Sequence, residues 1–263
     1  MSETPQGAPE TGPAGGALNE FVEIVKTVVY ALAIALFLRI LFFQPFTIPS
    51  ASMEPNLYEG DYVIVSKFSY GYSRHSIPFS PQLFEGRVMG KVAQRGDIVV
   101  FKLPSDNRTD YIKRVVGIGG DRVQMRNGLL YVNDKLIQRL PESPVKSIMP
   151  SGEVVDVARF QERLESGKSY DTQDFGPDGA EDNTETFVVP EGYYFMMGDN
   201  RDNSSDSRVP PFENGGGVGM VPAENLVGKA QIVLLSWNPE ASIFKPWTWV
   251  LDARPSRFFK VLK

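Results

Sequence analysis

Hydrophobic positions follow two regimes along this chain. From about Val22 to Phe43 they are nearly continuous, centred on the run Val28-Val29-Tyr30-Ala31-Leu32-Ala33-Ile34-Ala35-Leu36-Phe37-Leu38. Roughly 20 such residues cross a bilayer as a helix. Beyond Phe46 the apolar residues gather in short runs cut by Gly, Pro, Asn and Asp: 62–65, 97–101, 111–118, 129–132, 191–197 and 230–235. Runs of this length and punctuation predict a mainly β protein built on an antiparallel sheet. Asn133-Asp134, at the end of one run, reads as a turn. Residues 141–186 are polar and acidic and are expected to form a peripheral insertion carrying loops. Residues 1–19 hold almost no large apolar side chain and are predicted to be a disordered tail.

Three charges border or enter the apolar segment. Glu23, Lys26 and Arg39 sit near its ends, where long side chains reach headgroups. A cleaved secretory signal needs a basic stretch ahead of its apolar core, and nothing before Lys26 is basic, so an uncleaved anchor is expected. Lys26 and Arg39 balance across the segment, leaving its orientation open on charge alone. Near the other end of the chain, Trp237, Trp247 and Trp249 precede Arg254, Arg257, Lys260 and Lys263. That pattern suits a membrane interface and equally a buried aromatic cluster with a solvated basic tail.

Composition removes several chemistries. The 263 residues carry a net charge of -5 with no Lys/Arg cluster, which argues against a nucleic-acid surface. The absence of Cys excludes disulfides, thiol nucleophiles and Cys-ligated zinc. The only histidine, His75, cannot supply the two or three imidazoles of the usual zinc hydrolases, and it reads as an ordinary surface residue. No metal or organic cofactor is expected.

A serine in such a chain needs a base other than imidazole. In Phe46-Thr47-Ile48-Pro49-Ser50-Ala51-Ser52-Met53-Glu54-Pro55-Asn56-Leu57 two prolines stiffen the segment, and in extended geometry Ser50 and Ser52 point to one side. A solvated linker would explain the small polar residues, but Phe46, Ile48, Met53 and Leu57 fit the walls of a groove better. In Tyr111-Ile112-Lys113-Arg114-Val115-Val116, alternation puts Lys113 on one face with Tyr111 and Val115. A free lysine is neutral in only about one copy in a thousand at physiological pH. Burial lowers its pKa, because desolvation disfavours the charged form. An edge-strand lysine that discourages aggregation is the plainer reading of the residue alone. Arg114 cannot serve as base. The run 198–208, Gly-Asp-Asn-Arg-Asp-Asn-Ser-Ser-Asp-Ser-Arg, reads as an ion-paired loop whose serine orients a neighbouring amine. As a calcium loop it fails, with Ser207 at the position that needs Gly and Pro210-Pro211 in the exit. Residues 215–219, Gly-Gly-Gly-Val-Gly, lack the Lys-Ser/Thr of a phosphate loop and read as a flexible loop.

Taken together, 46–57, 96–101, 113–121 and 198–208 resemble the ordered signature boxes of bacterial type I signal peptidase, and 221–230 extends the likeness. The resemblance implies a serine endopeptidase with a Ser/Lys dyad, Ser52 as nucleophile and Lys113 as general base. It implies that Ser50 contributes to the oxyanion site, Ser204 hydrogen-bonds the Lys113 amine, and Asp206 and Arg208 hold the loop. Phe46, Ile48, Met53, Leu57, Val63, Val100, Tyr111 and Ile112 would line shallow pockets for small residues of an Ala-x-Ala junction. The implied organisation is a membrane helix over 20–44, a catalytic β core from 45–121 and 191–263, and a β-rich insertion subdomain over 122–190. The implied setting is the bacterial cytoplasmic membrane, single-pass, with the core on the outer face near the translocation machinery and exported preproteins as substrates. Better-known members carry two membrane helices where this chain shows one, and Glu54 sets a charge beside Met53 that should face away from the groove. Two rival readings are a self-cleaving Ser/Lys protease of the kind fused to repressors and a membrane-tethered β-domain that only binds partners.

Overall fold

The computed structural model describes residues 13–148, 154–176, 179–211, 216–241, 245 and 247–262. An apolar helix, α1 (Pro13–Leu41), leads into a β protein. The first strands are β1 (Phe43–Thr47), β2 (Asp61–Ser66), β3 (Ile98–Lys102) and β4 (Asp110–Ile118). Next come β5 (Arg122–Arg126), β6 (Leu129–Val132), β7 (Lys135–Leu136), β8 (Gln138–Ile148), β9 (Val154–Arg163), β10 (Ser169–Asp174) and β11 (Phe187–Val188). The chain then returns through β12 (Tyr193–Met197), β13 (Val221–Pro222), β14 (Leu226–Ser236) and β15 (Lys260–Val261), with a short helix α2 (Thr248–Leu251) before β15.

The main sheet has eight strands, in the order β1-β2-β14-β3-β4-β12-β13 with β15 added to β14, and every pairing in it is antiparallel. None of the strands between residues 122 and 188 joins it. They form a four-stranded sheet, β11-β5-β6-β7, and a three-stranded one, β10-β9-β8. Each of the six apolar runs coincides with a strand. Asn133 and Asp134 both have positive φ, 53° and 62°, the backbone required of a two-residue hairpin turn between β6 and β7. The expectation of loops over 141–186 is corrected: much of that stretch is paired strand. Its polar composition has two sources: β8 is a largely exposed ribbon, whereas β10 is largely buried among hydrogen-bonding partners.

α1 begins earlier and ends sooner than the predicted 20–44. Pro13 is preorganised for a first helical turn, and Ala14, Ala17 and Leu18 are good helix formers, so residues 13–19 of the expected tail are helical. Residues 1–12 of that tail lie outside the described residues. Pro45 biases Gln44 toward extended geometry, and the chain enters β1 at Phe43. Within α1, Asn19–Leu41 spans 23 residues whose most apolar stretch, of mean hydropathy 2.2, is unburied, while Leu41 at its end accepts a hydrogen bond from the Tyr72 hydroxyl. Glu23 and Lys26 pair with each other at 2.9 Å, which reduces the charge carried into an apolar medium.

Apolar side chains fill three clusters. The first, under β1, β2 and β14, includes Ile48, Met53, Leu57, Val63, Val100 and Ile112. The second lies around Val99, Phe101, Val115 and Leu226, and the third joins β4 and β12 to the four-stranded sheet through Val116, Val123, Phe195 and Met197. The C-terminal segment matches neither simple alternative. Trp237 packs edge-on to Tyr62 at 5.7 Å between ring centres, while Trp247 and Trp249 stay more than half exposed. Arg254 and Arg257 are not a solvated tail: Arg257 donates to Asp61 and to the Asn56 carbonyl, and Arg254 to the Trp237 and Glu59 carbonyls.

Candidate active site

Ser52 sits in a single 3₁₀ turn, Ala51–Met53, instead of the extended stretch expected between the prolines. Ser50 precedes the turn with extended dihedrals, φ -148° and ψ 155°. The tighter turn still brings the hydroxyls together, with Ser50 Oγ 3.3 Å from Ser52 Oγ. The turn is held from outside. The Asn200 backbone N–H donates to the Ser52 carbonyl at 3.2 Å, and its side-chain amide donates to the Ala51 carbonyl.

Lys113 comes from the middle of β4, opposite Val99 of β3. Its Nζ lies 2.6 Å from Ser52 Oγ. The residue is 4% exposed, and its amine sits 5.6 Å from the Tyr111 ring centre, the face-sharing that alternation predicts. Burial pushes the amine down to about 8, with Asp206 and Asp199 opposing the shift and Arg208 adding to it. A much larger share of this lysine is therefore neutral near physiological pH than of a free one.

The 198–208 loop supplies the opposing charges and is itself locked. Arg208 donates through Nε and Nη2 to the two oxygens of buried Asp206, both at 2.9 Å, and the Gly198 N–H donates to Asp206 at 3.0 Å. Arg208 and these bonds hold the Asp206 carboxyl below the usual range despite full burial. Ser204 departs from expectation: its hydroxyl donates to Asp206 Oδ2 at 2.8 Å, not to or from the Lys113 amine. Asp206, two residues along the same turn, offers a local carboxylate acceptor of the kind serine hydroxyls take up.

Beneath the loop lie residues that sequence reasoning missed. Arg114, noted only as unfit to be a base, forms a two-pronged ion pair with Asp199, both contacts at 2.7 Å, and stacks 4.0 Å from the Tyr170 ring centre. Asn56 bridges this layer to the serine turn, donating to Asp199 Oδ2 at 2.8 Å and to the Asp171 carbonyl at 2.7 Å. Arg201 pairs with buried Glu162 of β9 at 2.7 Å. The density of Asp and Arg over 198–208 signalled an ion-paired scaffold, but its partners on β4, β9 and β10 are far away in sequence.

Gly198 is the tightest point. A Cβ there would stand 2.5 Å from the Ser52 carbonyl oxygen and would overlap the Ser204 side chain. Gly198→Ala is expected to displace the serine turn and lower kcat/KM by about 100-fold, the usual cost of a displacement of about 1 Å at a reacting centre. Kinetics measured alongside a melting curve check this, because a variant that simply unfolds would lose its transition as well.

The predicted pocket residues divide. Met53, Leu57 and Val63 are fully buried in the first core cluster, with Ile48 and Val100 nearly so and Ile112 at 9% exposure, so they form a floor instead of an open wall. Phe46 and Tyr111 are half-buried at the edges of that layer. Glu54, expected to face away from the groove, is half-buried, and burial with nearby Glu59 pushes its carboxyl up to about 7. His75 is not a surface residue. It is 4% exposed, its Nδ1 lies 2.9 Å from Ser80 Oγ, and burial beside Arg74 brings its ring down to about 4.

The family described as signal peptidase, peptidase S26, matches residues 21–237. A signal peptidase I of Rickettsia typhi is 39% identical over 250 residues, covering 89% of this chain and 90% of that protein. One from Rickettsia prowazekii is 40% identical over the same length and the same shares. A crystal structure of a signal peptidase I from Enterococcus faecalis is 25% identical, covering 53% of this chain and 97% of that one with a TM-score of 0.30. With matched residues running from the apolar helix through β14 and the serine–lysine contact inside them, the chain belongs to the signal peptidase family, peptidase S26, and is a serine endopeptidase.

Proposed function

We propose that the chain removes N-terminal signal peptides from exported preproteins with Ser52 as nucleophile and Lys113 as general base. The observation that carries this is the 2.6 Å contact between Lys113 Nζ and Ser52 Oγ, on an amine brought down to about 8. Neutral Lys113 accepts the hydroxyl proton as Ser52 attacks the scissile carbonyl. The developing oxyanion takes hydrogen bonds from the Ser52 backbone N–H and the Ser50 hydroxyl. The ammonium then protonates the leaving amine, and a water deprotonated by Lys113 hydrolyses the acyl-enzyme. Ser204 acts through Asp206, and Asp206 with Arg208 fixes the loop beside the amine.

Small side chains at an Ala-x-Ala junction fit a shallow surface between Phe46 and Tyr111, over the floor of Ile48, Met53, Leu57, Val63, Val100 and Ile112. Residues 45–121 and 191–263 form the catalytic unit and 122–190 an inserted one. α1 anchors the chain in the bacterial cytoplasmic membrane with the catalytic unit outside, close to the translocation machinery.

The test is cleavage of a preprotein bearing an Ala-x-Ala junction by the full chain in detergent. Cleavage at that junction, lost when its small residues are made bulky, supports the reading, and no cleavage overturns it. The pH dependence follows from the base. Lys113 must be neutral, so kcat/KM is expected to fall about tenfold per pH unit below about 8 and to level off above it. A profile flat through this region would remove Lys113 from the role of base.

A further inference from the structure

One cavity outside the site joins the end of α1 to the β core. It has a volume of about 600 Å³, and its lining includes Leu36 and Arg39 of α1 with His75, Phe79, Lys102 and Arg108 of the core. Asp110, the one carboxylate on its wall, is taken up by Lys102 at 2.9 Å. Lys102 also donates to the Arg108 carbonyl. The guanidinium groups of Arg39 and Arg108 have no ion pair or hydrogen bond among the described residues.

Asp106, next to the lining, is the other nearby carboxylate, and its oxygens are taken up by the Arg108 and Thr109 backbone N–H groups and the Thr109 hydroxyl. Lys67, 1% exposed, donates its amine to the Ser76 carbonyl. That amine is brought down to about 8 mainly by burial, with Arg39 and Lys102 adding to the shift and Asp110 opposing it. His75 is neutral near physiological pH for related reasons. The whole chain is acidic, so a local positive excess is not a by-product of composition.

Depth identifies the occupant. The 23 residues of Asn19–Leu41 extend about 35 Å at ~1.5 Å per residue, close to the ~30 Å thickness of a hydrocarbon core. Arg39 lies in the last turn of α1, at the level of the headgroups of whichever leaflet that end meets. Leu36 extends into the apolar layer, and Phe79 is fully exposed beside the opening.

We propose that this cavity binds the phosphate of an anionic phospholipid headgroup, held by Arg39, Lys102 and Arg108, with the acyl chains running down α1 past Leu36. The proposal rests on the reading of α1 as a membrane helix. The bound lipid fixes the hinge between anchor and core, and so the height of Ser52 above the bilayer.

The test uses the full chain reconstituted in phosphatidylcholine vesicles with or without phosphatidylglycerol. Flotation with the pure phosphatidylcholine vesicles reads the anchor. Native mass spectrometry after detergent release reads how much of each lipid is retained. Retention of phosphatidylglycerol in preference to phosphatidylcholine is expected, falling about fivefold for each cation removed in Arg39→Gln, Lys102→Gln and Arg108→Gln. Arg108→Glu, a charge reversal on an exposed side chain, is expected to abolish the preference while preprotein cleavage in detergent is unchanged. Equal retention of both lipids by wild type, or undiminished preference in the variants, overturns the site. Displacement of the lipid by inorganic phosphate overturns it as a lipid site. Failure to float overturns the anchor reading and the site with it.

Discussion

Ser52→Ala and Lys113→Ala are each expected to reduce kcat/KM by roughly 10⁴- to 10⁶-fold, and the double variant to be no worse than either alone. Groups that act as one unit are grossly non-additive, because removing either member ends the shared step. Lys113→Arg should not recover activity, since guanidinium stays protonated. Lys113→Met separates catalysis from folding. Moving the amine from 10.5 to about 8 corresponds to about 3 kcal/mol of unfavourable burial at 1.36 kcal/mol per pH unit. An apolar side chain of similar length avoids that cost, so this variant should melt no lower than wild type while being inactive. Steady-state kinetics with a melting curve check both parts. Appreciable cleavage by any of the four single variants would sink the dyad.

The main sheet was legible because its strands are buried and cut by Gly, Pro, Asn and Asp. Runs such as 97–101 and 230–235 are too short for a buried helix and rich in Val and Ile, which favours strands. Elimination made Lys113 a candidate partner for Ser52, since with no Cys and one His a nucleophilic serine needs another base, but the lysine alone favoured an edge-strand reading and its role came from the resemblance. The serine turn was read as extended because two prolines suggested it. Local dihedral preference could not reveal that Asn200, about 150 positions away, holds both the Ala51 and Ser52 carbonyls.

Features set by distant partners were not legible. The expected pocket residues are apolar, but whether an apolar residue forms a wall or a floor depends on what covers it, and Met53 and Leu57 are covered completely. The polar stretch 141–186 was read as peripheral. Yet β9 and β10 bring Glu162, Tyr170 and the Asp171 carbonyl beneath the catalytic loop, where they meet Arg201, Arg114 and Asn56. Their polarity reflects a buried hydrogen-bonded layer more than exposure to water.

That layer gives the second large effect. Arg114→Met should destabilise the protein by about 3–5 kcal/mol, because it leaves the Asp199 carboxylate buried at 0% exposure without its main counter-charge. Arg114→Lys should recover little, since a point charge cannot engage both oxygens of Asp199 and reach the Gly96 carbonyl, as the guanidinium does. In Arg114→Met/Asp199→Leu the orphaned charge is gone, and much of the loss should return, as in other buried ion pairs replaced by apolar residues. Thermal unfolding of the four proteins checks the order: wild type, the double variant, then the two single variants together at the bottom. Activity should divide differently. Asn56 hydrogen-bonds Asp199 and lies three residues beyond Met53, so losing that carboxylate frees the serine turn even where stability returns. A double variant that melts near wild type but cleaves poorly would assign the pair two separable roles: its charge balance keeps the core folded, and its geometry keeps Ser52 in reach of Lys113.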